Sequence, residues 1–165
     1  MFVIRKAEER DQSAILSAAK DVGVFTAAEV ACVDELLDIF LHQPDNHDYT
    51  FIVCSDERDR LLGFACYGPT PLTEGTYDLY WLCVSKSAQG KGAGAALLEQ
   101  VEKELSTWSA RMLIAETSSM PSYDPARSFY EHHGFLRCAC IRDFYRLGDD
   151  LIIYAKYFTN QGSTS

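Results

Sequence analysis

Residues 82–98 read LCVSKSAQGKGAGAALL. An apolar run ends near Val84, a short connection follows, and Gln89-Gly90-Lys91-Gly92-Ala93-Gly94 opens a segment with helical spacing. Each glycine inside a helix costs about 1 kcal/mol relative to alanine, so a tight helix start is a poor reason for three of them. Glycines ahead of a helix let backbone N–H groups converge on an anion, and the helix dipole adds to the attraction. The loop is therefore expected to hold a phosphate or pyrophosphate, with Lys91 supplying a positive charge. The same residues satisfy G-x-G-x-x-A, the dinucleotide fingerprint, with Glu116 closing the next strand. Against a dinucleotide fold stand the five residues between Val84 and Gly90 and the short chain left after Thr117 for further parallel strands. A P-loop is excluded because no G-K-[ST] follows.

Outward from this loop, Thr76 to Val84 reads as a strand leading in. Gly92 to Trp108 reads as a helix burying Leu97, Leu98, Val101, Leu105 and Trp108, and Met112 to Thr117 as a buried strand leading out. Upstream, Phe2 to Lys6 is a short strand and Asp11 to Val22 a helix. Thr26 to His42 is a second helix opened by a T-x-x-E capping box, Thr26 and Glu29. Tyr49 to Cys54 and Leu61 to Tyr67 form a hairpin around the charged turn 56–60. Downstream, Asp124 to His133 is a short helix capped by Asp124 and closed by Gly134, followed by strands from Phe135 to Tyr145 and Leu151 to Phe158. The order β-α-α-β-β-β-α-β-α-β-β is that of an α/β chain with one central strand–helix–strand crossover.

The length of 165 residues suits one domain, expected over 1–159 with a loose tail at 160–165. A net charge of −9 argues against a grip on nucleic acid. The acids concentrate in residues 1–60, with 13 against 6 bases, which favours a cationic partner there. No apolar run is long enough to span a bilayer, and MFVIRKAEER lacks the apolar stretch of a signal peptide, so no membrane role and a cytoplasmic location are expected. The six cysteines show no C-x-x-C pairing and read as buried reduced thiols, with no metal site implied.

Gln89-x-x-Gly92-x-Gly94 resembles the [RQ]-x-x-G-x-[GA] pyrophosphate motif of the GNAT superfamily of acetyl-coenzyme A-dependent N-acetyltransferases. SFYEHHGF (128–135) is similar to its second hallmark, a helix carrying Tyr shortly before Gly-Phe. The resemblance covers nearly the whole chain and is nearest in motif to ribosomal-protein-alanine N-acetyltransferases. It implies a mixed, mostly antiparallel sheet of about seven strands, splayed between the fourth and fifth and flanked by about four helices. The cofactor, acetyl-coenzyme A, would enter the gap. Leu82, Cys83 and Val84 would contact the acetyl and pantetheine groups through the main chain. Gln89, Gly90, Lys91, Gly92, Ala93, Gly94 and Ala95 would wrap the pyrophosphate. Tyr123 stands near the position where the ribosomal-protein enzymes carry a cofactor-binding Asn.

Acyl transfer to an amine requires removing a proton from the nitrogen, stabilising the oxyanion and protonating the departing thiolate. The resemblance places Tyr130 beside the cofactor sulfur, and a phenol is protonated at neutral pH. Two carboxylates compete as base. Asp78 precedes Gln89 by the spacing of the catalytic glutamate in the histone-acetylating branch. Glu116 ends the next strand, where ribosomal-protein enzymes carry theirs. An acid in the apolar run 112–115 is costly unless paired, as by a salt bridge to Arg127. Asp143-Phe144-Tyr145 with Gly148-Asp149-Asp150 resembles the family's acceptor-holding segment, which makes Tyr145 a substrate-site candidate. Cys83 reads as a sheet residue, and His132 and His133 as charges at a helix C-terminus. The expected reaction is acetyl transfer from acetyl-coenzyme A to a small cationic amine or a peptide N-terminus, by a monomer or homodimer. A non-catalytic acyl-coenzyme A sensor and a dinucleotide-binding protein are the alternatives.

Overall fold

The computed structural model describes residues 1–158, so the expected domain end at 159 and loose tail at 160–165 lie outside the described residues. The elements are β1 (Val3–Lys6), α1 (Gln12–Asp21), α2 (Ala27–His42), β2 (Thr50–Ser55), β3 (Leu61–Pro69), β4 (Thr76–Val84), α3 (Ala93–Thr107), β5 (Met112–Ser118), α4 (Asp124–His132), β6 (Leu136–Arg146) and β7 (Asp149–Tyr157). They follow the order expected from the sequence. None of the helices is long and apolar enough to cross a membrane among the described residues.

Seven strands make one sheet in the order β1-β2-β3-β4-β5-β7-β6. Every pairing is antiparallel except β4 with β5, because the α3 crossover brings β5 in alongside β4 in the same direction. Helices cover both faces, so the central strands are apolar on both. In β2, Phe51 and Val53 join the cluster under α1 and α2, with Ile15, Val33, Leu37 and Phe64. Ile52 and Cys54 join the cluster under α3, with Leu97, Val101, Leu105 and Leu113. Trp108, expected on the same buried face, is instead exposed, because α3 ends at Thr107 and Trp108 is its cap. Each such buried side chain contributes roughly 1.5–3 kcal/mol.

Local chemistry sets the helix ends. The Thr26 hydroxyl accepts from the Glu29 N–H at 3.2 Å, and the Glu29 carboxylate accepts from the Thr26 N–H at 2.6 Å. This is the expected capping box. At α4 the expectation needs correction: Tyr123 occupies the cap, and Asp124 is the first helical residue, its carboxylate taken by Arg127. Gly134 closes α4 as expected, at φ +84. The cysteines also differ in part. All six are free and Cys54, Cys66 and Cys83 are buried, but Cys138 and Cys140 are exposed because β6 is the outer edge of the sheet.

β4 carries two irregularities, and together they open the sheet. Leu79 pairs with Tyr67 and Trp81 with Cys66, so Tyr80 is an extra residue, a β-bulge. Pairing with β5 runs from Thr76↔Met112 to Leu79↔Ala115 and stops there. Beyond that point β4 stays with β3 while β5 stays with β7, and the sheet splays open between its fourth and fifth strands.

Candidate active site

The opening between the strands leads into a cleft of ≈ 1360 Å³ lined by the ends of β4 and β5, the start of α3, α4 and the α1–α2 loop. Ser85 N–H donates to Leu62 O on β3 at 2.8 Å. Main-chain groups alternate sides along a strand, so Cys83 also faces β3, and Leu82 and Val84 turn their N–H and C=O groups toward the gap that β5 has left. The Val84 carbonyl accepts from Gln89 Nε2 at 3.2 Å, consistent with that direction.

The glycine loop comes next. Gly90 (φ +71) and Gly92 (φ +91) adopt left-handed conformations that other residues reach only with strain. Gly92 is the cap residue of α3 and offers no side-chain acceptor, so the first N–H groups of the helix, from Ala93 to Ala95, are left for a ligand. A Cβ on Gly94 would lie 3.4 Å from both Phe129 Cε2 and Val84 Cγ2, so glycine lets α3 sit close to α4. The loop therefore fits a pyrophosphate. Lys91 departs from expectation: its ammonium donates to Ser87 O at 2.6 Å, and it is absent from the cleft wall. Lys86 lines the cleft instead. It lies in the connection just before the glycines, and only its position there could have marked it.

Asp78, Ile114 and Glu116 share one face of the sheet, since Asp78 is paired with Ile114 and Glu116 lies two residues on. Glu116 is the first residue of β5 past the last β4 pair, and it opens on the cleft. The salt bridge with Arg127 that would give Glu116 a structural role instead of a basic one is not made. Arg127 donates to the carbonyls of Ser118 and Met120 and pairs with Asp124. Glu116 avoids the cost of burial by facing the cleft, where its carboxylate meets no donor among the described residues. Partial desolvation, and then the neighbouring charge of Asp78, push its carboxyl above the ordinary 4.5. Asp78 is held differently: it accepts from the Thr70 hydroxyl at 2.7 Å.

Tyr130 is 8% exposed, its ring packed against Phe135, Tyr154 and Phe129 with centroids 5.2, 5.8 and 5.9 Å away. It lines the cleft, and its hydroxyl has no hydrogen-bond partner among the described residues. Burial pushes the phenol up to about 12. The Cys83 side chain turns the other way, into the cluster under α1, where its thiol lies 3.8 Å from Ala18 O. Burial pushes that thiol up to about 12 as well, which makes it a poor nucleophile.

Tyr123 and Tyr145 bound the far part of the cleft. The Tyr123 hydroxyl donates to Val24 O at 3.1 Å, joining the β5–α4 loop to the α1–α2 loop. Burial, with the Tyr145 surroundings of Glu116, Glu29 and Asp149, raises the Tyr145 phenol. Asp149 accepts from the Ser118 hydroxyl and lies 3.6 Å from Arg146 Nε. Glu29 was visible in the sequence only as a helix cap, and nothing in its spacing reveals that it also faces this cleft. His132 and His133 sit on the last turn of α4 with Nδ1 at 2.6 Å from Ser128 O and 2.8 Å from Phe129 O.

The family model described as the acetyltransferase (GNAT) family matches residues 15–135. A search of curated proteins finds no match. Among solved structures, one from Desulfovibrio desulfuricans, presented as a candidate acetyltransferase of the GNAT family, is 39% identical. It superposes with a TM-score of 0.91 over 95% of this chain and 99% of its own. A ribosomal-protein-alanine N-acetyltransferase from Brucella melitensis is similar in fold at 22% identity and TM-score 0.74, covering 94% of this chain and 99% of its own. An aminoglycoside 6'-N-acetyltransferase complexed with coenzyme A shares the fold at 15% identity and TM-score 0.75, covering 98% and 99%.

Proposed function

The chain belongs to the acetyltransferase (GNAT) family, and from that premise we propose that it moves an acetyl group from acetyl-coenzyme A to a primary amine, with Glu116 as general base and Tyr130 as general acid. One observation carries the reading. An unpaired carboxylate and the unpartnered hydroxyl of a largely buried tyrosine face the same opening of the sheet, beside main-chain N–H groups with no protein acceptor.

Acetyl-coenzyme A supplies the activated thioester. The N–H groups from Ala93 to Ala95 and the left-handed glycines receive its pyrophosphate, with Lys86 the nearby cation. Leu82 and Val84 present main-chain groups to the arm and acetyl oxygen. Glu116 takes a proton from the amine nitrogen as the C–N bond forms, and its raised pKa suits that task. Tyr130 gives a proton to the sulfur as the C–S bond breaks. The products are an amide and a free thiol, and the proton returns from Glu116 to Tyr130 by way of solvent. Asp78, already engaged by Thr70, sets the charge beside Glu116.

The test is a melting measurement followed by a thiol-release assay. Acetyl-coenzyme A at about 100 times its Kd adds ~2.7 kcal/mol of stability by mass action, while NADH adds none. Gly92→Val abolishes the shift, because valine cannot follow φ +91 without strain. Thiol release with a primary amine then separates an enzyme from a binding module. An NADH shift without an acetyl-coenzyme A shift, or binding without turnover on any amine, refutes the proposal.

A further inference from the structure

Glu116 and Tyr130 are placed by the elements that carry them, because neither polar group is held by a hydrogen bond of its own among the described residues. Their separation therefore depends on how α4, which carries Tyr130, sits against the end of β5, which carries Glu116. β5 is fixed by its ladder to β7, which runs from Met112 to Ser118. α4 has no ladder. Its last turns are held by the Tyr130 ring on Phe135 and Tyr154, and by the Tyr154 hydroxyl, which donates to Glu131 at 2.8 Å. Its first turn reaches β5 through Arg127. Nη1 of the guanidinium donates to the carbonyl of Ser118, the last residue of β5, and to Met120 O at 3.1 Å, while Nη2 pairs with Asp124. The Ser118 hydroxyl donates in turn to Asp149 at the start of β7 and accepts from the Met120 N–H at 3.0 Å. The end of β5 is thus gripped from α4 by its carbonyl and from β7 by its hydroxyl. Arg127 is absent from the cleft wall, and its side chain is only 16% exposed. Taking a guanidinium out of water is costly, and an apolar side chain would fasten a helix at less cost. Arginine adds a rigid planar fork whose donors point in fixed directions. Tyr130 lies three residues further on, a neighbouring position on the helix surface.

Resting on the reading of Tyr130 as general acid, we propose that Arg127 is a positioning residue for the reaction: it fixes α4 against the end of β5 and so holds the Tyr130 hydroxyl where the departing sulfur receives its proton. It stands outside the cleft and acts through Tyr130. Lysine in its place brings a point charge that does not reproduce the fork, so α4 loses its register on β5. A shift of about 1 Å at reacting groups costs up to 10²-fold in rate. Binding of acetyl-coenzyme A is spared, because the pyrophosphate loop belongs to α3.

The test is a cycle of Arg127→Lys, Tyr130→Phe and the double variant, read as kcat and KM for thiol release well below every variant's Tm. The acceptor is whichever of butylamine, spermidine and a short peptide with an N-terminal alanine the wild type turns over fastest. Arg127→Lys lowers kcat by about tenfold or more with little change in KM for acetyl-coenzyme A. In the Tyr130→Phe background the same change costs less than about twofold, since the group it positions is gone. Equal losses in the two backgrounds overturn the proposal and leave the acid assignment standing. A lower Tm with wild-type kcat makes Arg127 a residue of the fold alone and also overturns it. Where Arg127→Lys yields no folded protein, Arg127→Gln enters the same cycle, and loss of folding in both overturns the proposal as well. Wild-type kcat in Tyr130→Phe alone refutes the acid assignment on which the proposal rests, whatever Arg127→Lys does. Absence of thiol release by the wild type with every amine refutes the acetyltransferase reading and the proposal together.

Discussion

Replacing Tyr130 with phenylalanine removes one oxygen and nothing else. The ring remains, and so do its contacts with Phe135, Tyr154 and Phe129. A hydroxyl in a structural hydrogen bond would cost about 1 kcal/mol when deleted, or roughly 3 °C in Tm for a chain of this size. The Tyr130 hydroxyl has no protein partner among the described residues, so melting of the free protein should not fall. Acetyl-coenzyme A should bind nearly as before, because its pyrophosphate is held at the loop. Turnover should fall by roughly 10²-fold or more, the scale of general-acid assistance. A fall in kcat without a matching change in affinity reads as lost transition-state stabilisation. The raised pKa adds a second readout. At about 12 for the folded phenol, roughly one Tyr130 in a thousand is ionised at pH 9. Wild-type kcat should therefore show no alkaline decline from this residue across the usual assay range. Calorimetric titration, melting and stopped thiol-release assays suffice. A variant that keeps wild-type turnover, or one that melts about 3 °C lower with its rate intact, refutes the acid assignment and leaves Tyr130 a packing residue.

Two further predictions concern the carboxylates. Glu116→Gln should lower kcat by about 10²- to 10⁴-fold, and Asp78→Asn by less; steady-state kinetics with both variants reverses the assignment if Asp78 proves the more damaging. The wild-type acid limb should lie above pH 4.5, where an ordinary glutamate titrates, since the raised Glu116 loses its basic form as pH falls through its folded value. Asp11→Asn should cost about 2 kcal/mol at pH 7, because Asp11 accepts from Arg5 at 2.6 and 2.9 Å and from the Glu8 N–H at 2.8 Å. Asp11 has its carboxyl held below the usual 3.8, an outcome in which the Arg5 and backbone hydrogen bonds outweigh desolvation, the largest single influence and an opposing one. Its contribution is thus complete above that value and is lost as pH falls through the lower, folded one. Chemical denaturation should show variant and wild type converging in strong acid; an offset that persists there contradicts the ion-pair explanation.

Local signals in the sequence were reliable where the chemistry is local. The capping box at Thr26, the stop at Gly134 and the glycines ahead of α3 each depend on neighbours within a few residues. The placement of strands was legible because both faces of the sheet are buried and the strands are apolar throughout. What was illegible depends on register between distant segments. Glu116 looked like a buried acid in need of a partner, because nothing in Met112–Thr117 tells where β4 stops pairing. The Lys91 ammonium turns back onto Ser87 O, a choice made by loop geometry and not by residue type. Cys138 and Cys140 sit in an apolar-looking run, yet β6 has a neighbour on one side only, and no local pattern distinguishes an edge strand from an inner one. Glu29 already had one local explanation as a cap, which concealed its second position in the cleft.

The extra residue at Tyr80 is in effect a phase shifter. Before it, the odd-numbered Tyr77 and Leu79 face the cluster under α3; after it, the even-numbered Leu82 and Val84 do. The partner strand alternates strictly, Cys66 under α1 and Tyr67 under α3, so Tyr80 is the one residue of β4 that the β3 ladder does not require. Removing it would leave Leu79, Trp81, Leu82 and Cys83 on the faces they already occupy, whereas a deletion further from the bulge would carry neighbouring side chains to the opposite face. A deletion scan through β4 should therefore find its mildest loss of folded protein at Tyr80, with the cost falling on the bend that helps open the sheet more than on the core.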